Sequence, residues 1–424
     1  MINKSVNRKT CRVCGTCFSV CPKNAITLKK TRASYIVHVD EEKCIRCGLC
    51  LKVCPVLNTN LNELKFSVFN KIPKDKLLGN FNGCYLGYSN NPNLRLSSSS
   101  GGVVTTLLTE LLEKNIIDAA VVTKFSKNNP FEGKPIITND PKEIIEAKGS
   151  KYVPVPLNTI LRKVKKSRYK KVAIVGLGCQ IEGVRMMQMI DPLLRKKVYL
   201  CIGLFCAKSF NFTGTELLLK YYCAKQNNVV GINYRKGNWP GKLSIKTRNK
   251  EIEKPFFEYQ RFFNQGYFVP ECCYFCSNFG NEYADISLGD AWIDEAMKNN
   301  NAGSNLIITR TTKGKKLLKT ARSINIYKIG PSKVKSSMSS FAYKKQSRKF
   351  LYSLAAIFNI DLPKCSDQTE KMPAMSKAVT FTYFLNSVLS NYLPSFFLFL
   401  PTFIWRLNSK LEHIAYSIYS KAKK

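Results

Sequence analysis

Two cysteine runs of identical spacing constrain this chain more than any other feature in it. Cys11-x-x-Cys14-x-x-Cys17-x-x-x-Cys21-Pro22 recurs as Cys44-x-x-Cys47-x-x-Cys50-x-x-x-Cys54-Pro55. This is the spacing by which thiolates hold a pair of 4Fe-4S clusters, the fourth cysteine of each run crossing to the other cluster. The expected ligand sets are Cys11, Cys14, Cys17 and Cys54, and Cys44, Cys47, Cys50 and Cys21. Zinc would want one set of four ligands per site, usually in two separated pairs. It does not explain two runs that each end in proline.

A chain of 424 residues is far longer than such a module. Residues 1–60 are expected to form an α+β ferredoxin-like dicluster domain, with Ala25–Leu28 and Tyr35–Val39 as a hairpin between the runs. Residues 61–82 are polar and lysine-rich and read as a linker. Candidate strands then follow at Cys84–Tyr88, Ala119–Thr123, Lys171–Val175, Val198–Phe205 and Asn305–Thr309. Helical spacing of Val103, Val104, Leu107, Leu108, Leu111 and Leu112 lies among them. The alternation predicts an α/β domain with a mixed or mostly parallel sheet over residues 83–335. Residues 336–424 read as a helical region with an apolar and basic tail. Ala378–Trp405 carries no charge and Arg406–Lys424 is basic. The length of 378–405 would span a bilayer, but Pro394, Pro401, Asn386 and Asn391 interrupt it. Packing on the core, lying on a membrane surface and spanning it are the three alternatives.

Seventeen cysteines point to a reducing compartment and metal sites rather than disulfides. The polar Met1–Thr10 has no apolar core, so secretion is not expected. The expected location is the cytoplasm, with the tail raising a peripheral position at the inner face of the membrane. The formal charge is +39, and Ala296–Ile360 contains no Asp or Glu. Part of that charge is compositional, since lysine far outnumbers arginine. The rest would attract an anionic partner: a polyanionic coenzyme, an acidic electron-transfer protein, an anionic glycan or a lipid surface. Nucleic acid is not expected, because no recognition motif accompanies the charge. The only histidines, His38 and His413, lie outside the main domain, which excludes a histidine triad there.

Within the main domain, Ser97-Ser98-Ser99-Ser100-Gly101-Gly102 precedes a helix, where small residues and free amides suit a phosphate. Val175-Gly176-Leu177-Gly178-Cys179-Gln180-Ile181 lacks the third glycine of a dinucleotide fingerprint, so no NAD site is expected there. Cys179 and Cys206 each end a candidate strand and could meet the pair Cys273-x-x-Cys276. Cys84, Cys201, Cys223 and Cys365 read as core residues, and Cys272 as a spare.

These residues resemble the beta subunits of coenzyme F420-dependent hydrogenases and dehydrogenases, fused to an N-terminal dicluster ferredoxin. The matching segments, in family order, are Ser99–Gly102, Ile117–Val122, Lys148–Val153, Gly178–Ile181, Gly203–Cys206, Cys273–Cys276 and Ala284–Asp290. The resemblance implies FAD and a third 4Fe-4S cluster held by Cys179, Cys206, Cys273 and Cys276. It makes Ser99, Ser100, Gly101, Gly102, Lys151, Tyr152, Asp285, Gly289 and Asp290 candidate flavin contacts. The family usually carries threonine-proline before the first of these cysteines, where this chain has Leu177-Gly178.

The expected activity is an iron-sulfur flavoprotein oxidoreductase that exchanges hydride with a deazaflavin or another small molecule or glycan precursor. Its electrons would be exchanged with a redox partner protein or reduced ferredoxin. The alternative is an electron-transfer subunit without its own substrate that docks on a partner enzyme, with cell-surface polysaccharide biosynthesis as a context. No residue is singled out as a catalytic acid or base.

Overall fold

A computed structural model describes residues 1–7, 9–57, 61–297, 302–357 and 374–400. Cys365, His413, the residues 401–405 and the basic run from Arg406 lie outside them. The strands are β1 (Ile26–Lys30), β2 (Tyr35–Val39), β3 (Gly83–Ser89), β4 (Ala119–Ser126), β5 (Asn129–Thr138), β6 (Val172–Leu177), β7 (Val198–Leu204), β8 (Val229–Lys236), β9 (Lys242–Thr247), β10 (Glu251–Pro255), β11 (Ile286–Asp290), β12 (Asn305–Thr309) and β13 (Ile324–Lys328).

In the N-terminal module β1 and β2 pair antiparallel, Ile26 opposite Val39. The two cysteine runs share one backbone solution. Val13 and Arg46 have φ of 51° and 53°, and Gly15 and Gly48 have φ of 83° and 73°. The left-handed pair sits at the same place in each run and curls the first three cysteines around one point. The module is docked on the main domain. Gly183 allows this contact, since a Cβ there would stand 2.2 Å from Thr16 Oγ1. Asn158 Nδ2 donates to Thr16 Oγ1 at 2.8 Å and Ser19 Oγ donates to Asn158 O at 2.6 Å.

The main sheet has the order β13-β3-β12-β11-β7-β6-β4-β5. Its centre, β11-β7-β6-β4, is parallel, and the flanks are antiparallel. Val172, Ala173 and Ile174 of β6 and Leu200, Cys201 and Ile202 of β7 are buried on both faces, as central parallel strands are. The helix Val103–Glu113 covers one face through Val103, Leu107, Leu108, Leu111 and Leu112. Ligands of such sheets collect beyond the carboxyl ends of the parallel strands, where β6, β7 and β11 all finish. A second, three-stranded sheet, β10-β9-β8, has its own aromatic core with Tyr234, Tyr259, Phe262 and Phe263.

Several expectations change. The stretch 61–82 is not a plain linker. Leu61–Phe69 is a helix whose Leu64 is buried against Val53, Ile181 and Val184. Leu78 is fully buried as well, and its carbonyl and that of Asn80 accept from the buried guanidinium of Arg310. An apolar residue every third or fourth position among lysines was enough to dock the segment. Cys223 is exposed, with φ of 55°, rather than a core residue, because it closes the turn after the helix Phe212–Tyr221. The described part of the tail, Ala374–Tyr392 and Pro394–Phe399, is helical and docked on the main domain. No helix among the described residues is long and apolar enough to cross a membrane.

Asp285 also proves to be a structural residue. It sits before β11, at the opposite end of the strand from Asp290. Its Oδ2 accepts from Cys201 N at 2.8 Å and from Arg185 Nη2 at 3.0 Å, and its Oδ1 from Thr311 Oγ1 at 2.8 Å. Both carboxylate oxygens are committed inside the fold. Asp285→Asn keeps the shape but leaves Arg185 buried without its counter-charge. A loss of about 3–5 kcal/mol in unfolding free energy is expected, read by denaturant titration against the wild type.

Candidate functional site

Three cysteine groupings form. Cys54 returns to the first run, where burial and then the neighbouring Cys14 push its thiol up to about 12. Cys17 is raised by burial and by Cys14, Cys11 and Cys54. Cys21, Cys44, Cys47 and Cys50 instead line a single cavity of about 290 Å³. Both crossed sets expected from the spacing are thus brought together. The cavity lies toward solvent, with Cys47 exposed.

The third grouping forms where β6 and β7 end. Leu177 and Leu204 are in register, so Cys179, two residues on, and Cys206, also two residues on, emerge side by side. The segment carrying Cys273 and Cys276 lies across these ends because glycine permits it. A Cβ on Gly203 would stand 2.3 Å from Asn281, and one on Gly178 would stand 2.1 Å from Asn278 O. Asn281 Nδ2 donates to Gly176 O at 2.8 Å and Asn278 Nδ2 to Gly178 O at 3.0 Å. Burial, then Cys276, raises the Cys179 thiol; burial, then Cys273 and Cys276, raises that of Cys206. Cys273 is held down, to about 7, chiefly by a hydrogen bond with Cys272. No three His, Cys, Asp or Glu side chains among the described residues are placed to hold a lone metal ion. A cubane requires a wider set, since its own sulfides stand between the four thiolates.

Two cations serve this grouping. Arg12, between the first two cysteines of the first run, keeps its charge against burial through Cys276, Glu182 and Cys179. Its Nη1 lies 3.4 Å from Glu182 Oε2. Arg12 therefore joins the first grouping to the third, and Cys14 itself acts on Cys179. Lys344 donates to Ala207 O. Desolvation pushes its ammonium down to about 8 against the pull of Cys206, Cys273 and Cys276.

Beyond Cys206 lies a network of polar side chains. Phe205 packs on Gly289, where a Cβ would stand 2.1 Å from its ring, and Asp290 follows at the end of β11. Asp290 Oδ2 accepts from Arg235 Nη1 at 2.7 Å, and Arg235 Nε donates to Pro240 O at 2.8 Å. Tyr152 faces this pair. Burial raises its phenol, while Arg235 and Ser150 favour the ionised form. Ser150 N and Oγ reach Ser99 Oγ at 2.9 and 3.0 Å. Ser99, Ser150, Tyr152, Arg235 and Asp290 are thus one continuous network. Ser100 is committed to Ser304 O at 2.7 Å, and Gly101 lets the loop approach Gly87 O, 2.7 Å from where its Cβ would be. Gly102, with φ of 76°, turns the chain into the helix Val103–Glu113. Lys151 donates to the carbonyls of Ala147, Lys148 and Gly149. Burial and Lys148 lower it to about 7. With all three donors committed, it shapes the loop rather than offering a contact.

Two donors in this region have no partner: Arg235 Nη2 and Trp239 Nε1 are both buried and unsatisfied. Arg235 is 5 % exposed, and the Trp239 ring lies 4.5 Å from that of Trp292. A buried donor without an acceptor costs about 1–3 kcal/mol, so the pair fits a group that brings acceptor oxygens or nitrogens. Sequence reading missed Arg235, Trp239, Arg12 and Lys344. The only signal was rarity: two of the three tryptophans in the chain meet here.

Three family models match the chain. One is the 4Fe-4S dicluster domain, over residues 10–58. The other two describe the beta subunit of coenzyme F420 hydrogenase/dehydrogenase, its N-terminal part over 84–162 and its C-terminal part over 169–334. The coenzyme F420-dependent sulfite reductase of Methanocaldococcus jannaschii is 26 % identical over 74 % of this chain. The chain spans only 46 % of that relative's length. The coenzyme F420 hydrogenase subunit beta of Methanothermobacter thermautotrophicus is 26 % identical over 60 % of this chain and 86 % of its own. A chain of the F420-reducing [NiFe] hydrogenase complex from Methanosarcina barkeri shares the fold, with a TM-score of 0.54 over 68 % of this chain and 98 % of that one, at 20 % identity. With a 4Fe-4S dicluster domain ahead of both halves of the matched domain, the chain belongs to the coenzyme F420 hydrogenase/dehydrogenase beta subunit family of iron-sulfur oxidoreductases.

Proposed function

We propose that this chain is an iron-sulfur flavoprotein oxidoreductase in which twelve cysteines hold three 4Fe-4S clusters and the polar network beyond Cys206, with its two unpartnered donors, contacts FAD. The observation that carries the reading is that each grouping adjoins the next. The cavity of Cys21, Cys44, Cys47 and Cys50 belongs to the same module as the set with Cys54, Cys14 and Arg12 of that module act on Cys179 and Cys276, and Phe205, next to Cys206, packs on Gly289 beside Asp290 and the two orphan donors. Clusters exchange single electrons and a flavin one or two, which supplies the conversion a two-electron substrate needs. Ser99, Tyr152, Arg235 and Trp239 would orient the flavin, and the Arg235–Asp290 pair fixes the side facing Tyr152. Arg12 and Lys344 offset negative charge at the third set. The substrate of this reading is a deazaflavin, as the relatives' names suggest. Leu177-Gly178 in place of threonine-proline raises a different small molecule as the alternative.

The experiment is flavin retention by anaerobically purified protein, with two variants. Trp239→Phe removes one donor and keeps the ring, and a several-fold weaker flavin affinity is expected from the loss of about 1 kcal/mol. Arg235→Met is expected to weaken it more, at least tenfold, since a hydrogen bond from a charged donor contributes about 1.5–3 kcal/mol. Protein that carries no flavin under any loading condition would sink the reading.

A second reading is an electron-transfer subunit that acts only through a partner. It is favoured by the exposed Cys47 edge and by relatives named as subunits of larger enzymes. Reduction of the bound flavin by reduced deazaflavin in the isolated chain supports the enzyme; reduction only in the presence of a partner protein supports the subunit.

A further inference from the structure

Helices of globular proteins usually bury an apolar stripe and show water a polar one. The helix Ala374–Tyr392 largely does the reverse, Phe384 on Tyr274 and Phe275 being its apolar inward contact, while Pro394–Phe399 anchors inward by Leu398 and Phe397. Ser376, Thr380, Ser387, Ser390 and Asn391 form the inner stripe and are buried. Hydrogen bonds dock it. Ser387 Oγ and Asn391 Nδ2 both donate to Val269 O at 2.7 Å. Asn386 Nδ2 donates to Gln265 O at 3.0 Å, and Ser390 Oγ accepts from Phe268 N at 2.8 Å. The outer stripe is Phe381, Leu385, Leu389, Leu393, Phe396 and Phe399, with exposures from 38 to 79 %. Burying each such side chain would contribute about 1.5–3 kcal/mol, which the folded chain forgoes. A helix of 19 residues is about 28 Å long, so the stripe is a line rather than a spot.

Its surroundings are cationic. Lys377 lies on the helix itself. Arg32 Nη1 donates to Ser395 Oγ at 3.3 Å, and its Nη2 pairs with Glu216 Oε2 at 2.9 Å, so this cation is offset in part, while Lys9, Lys220 and Lys377 pair with no carboxylate among the described residues. Lys220 donates to Leu398 O, and its Nζ is 4.9 Å from the centre of the Phe399 ring. Lys9 Nζ is 5.8 Å from the ring of Tyr392. No Asp or Glu occurs between Lys371 and Lys410, and the chain as a whole carries +39. Leucine and phenylalanine edged by long cations are the composition of a helix lying in a headgroup plane. Each Lys or Arg near an anionic leaflet adds about 1 kcal/mol. A stripe of this length with this much surrounding charge calls for an extended anionic surface rather than one acidic patch.

We infer that the outer face of these two helices lies in the headgroup region of an anionic lipid bilayer. The full-length, anaerobically purified chain is floated with vesicles of phosphatidylglycerol and phosphatidylcholine, and with phosphatidylcholine alone. Flotation is expected with the anionic vesicles only. The double variant Leu385→Glu/Phe396→Glu is expected to float at least tenfold less, with unchanged iron content and circular dichroism as evidence of folding. Leu193→Glu, at another exposed apolar residue (46 % exposed), is expected to float like the wild type. Phe396→Trp gives an independent reading, its fluorescence falling when brominated lipids replace the ordinary ones. A wild type that stays at the bottom of the gradient, a double variant that floats equally, or an unquenched Phe396→Trp each overturns the inference. So does a wild-type dimer, seen by light scattering, that the double variant dissociates without any flotation, since the face would then join two copies of the chain.

Discussion

If the proposed third cluster is present, the wild type should hold about twelve irons, and Cys276→Ala, purified without oxygen, is expected to retain about eight, as three cubanes and then two require. The loss should fall on the third set alone. Cys276 shares its surroundings with Cys179, Cys206 and Cys273, whereas the two N-terminal sets are completed by Cys54 and Cys21 from within their own module. The physical reason for expecting total loss, not weakened binding, is burial. Cys179, Cys206 and Cys276 all resist ionisation in the absence of a metal. A site of buried thiols becomes a site of thiolates only when the bound metal compensates desolvation, and three of four ligands compensate less. Cys272→Ala is the contrasting variant. Its thiol touches Cys273 but belongs to no set, so about twelve irons should remain. Iron and sulfide assays decide. A Cys276→Ala protein with as much iron as the wild type would remove the third cluster from the proposal.

Gly178→Ala should have an effect nearly as large. The glycine's φ is ordinary, so conformational freedom is not the issue; space is. A methyl group would stand 2.1 Å from the backbone oxygen of Asn278, well inside contact distance, and the obstacle is main chain, not a flexible tip. Asn278 cannot retreat easily. It is 3 % exposed, its Nδ2 donates to Gly178 O and its Oδ1 accepts from Glu282 N at 2.6 Å. The substitution has to part the start of the helix Gly178–Ile190 from the segment that carries Cys276. Overpacking of this kind costs about 1–3 kcal/mol, and here the displacement separates Cys179 from Cys276. Loss of the third set's iron together with a lower unfolding midpoint is expected. Gly178→Pro adds a Cβ at the same place, so proline should not be accepted here without a change at Asn278. Gly231→Ala is the control, since its Cβ would meet only Lys246 Cβ at 3.8 Å. Normal iron content and stability in Gly178→Ala would contradict the steric account.

The parts of this fold written in local patterns were legible. Cysteine spacing pointed to both crossed groupings that the structure brings together, because the loop geometry is carried within each run by residues such as Gly15 and Gly48. The apolar runs at β4, β6 and β7 and the helical spacing from Val103 were equally clear. From strand-end positions, Cys179 and Cys206 could be placed at one sheet edge, and the register of Leu177 with Leu204 accounts for it. What escaped was set by contacts distant in sequence. The sheet of β8, β9 and β10 is short and rich in lysine, and only its packing against Tyr259 and Phe263 identifies it. Arg235 looked like one more cation until Asp290 lay 2.7 Å away. Asp285 and Asp290 share a motif but stand at opposite ends of one strand, and the motif alone could not say which was committed to Arg185. Leu64 and Leu78 were hidden because a few leucines among lysines resemble a tether until their partners in the main domain are known.

The unequal exposure of the cysteine groupings also sets an order of damage. Oxygen and peroxide arriving from bulk water meet the open cavity with Cys47 first, while Cys179 and Cys276 are half-buried beside Arg12 of the docked module. With the proposed centres in place, a protein handled carelessly in air would lose its outermost cluster and still look largely intact by colour, and repair in the cell would have to rebuild only the outward-facing one.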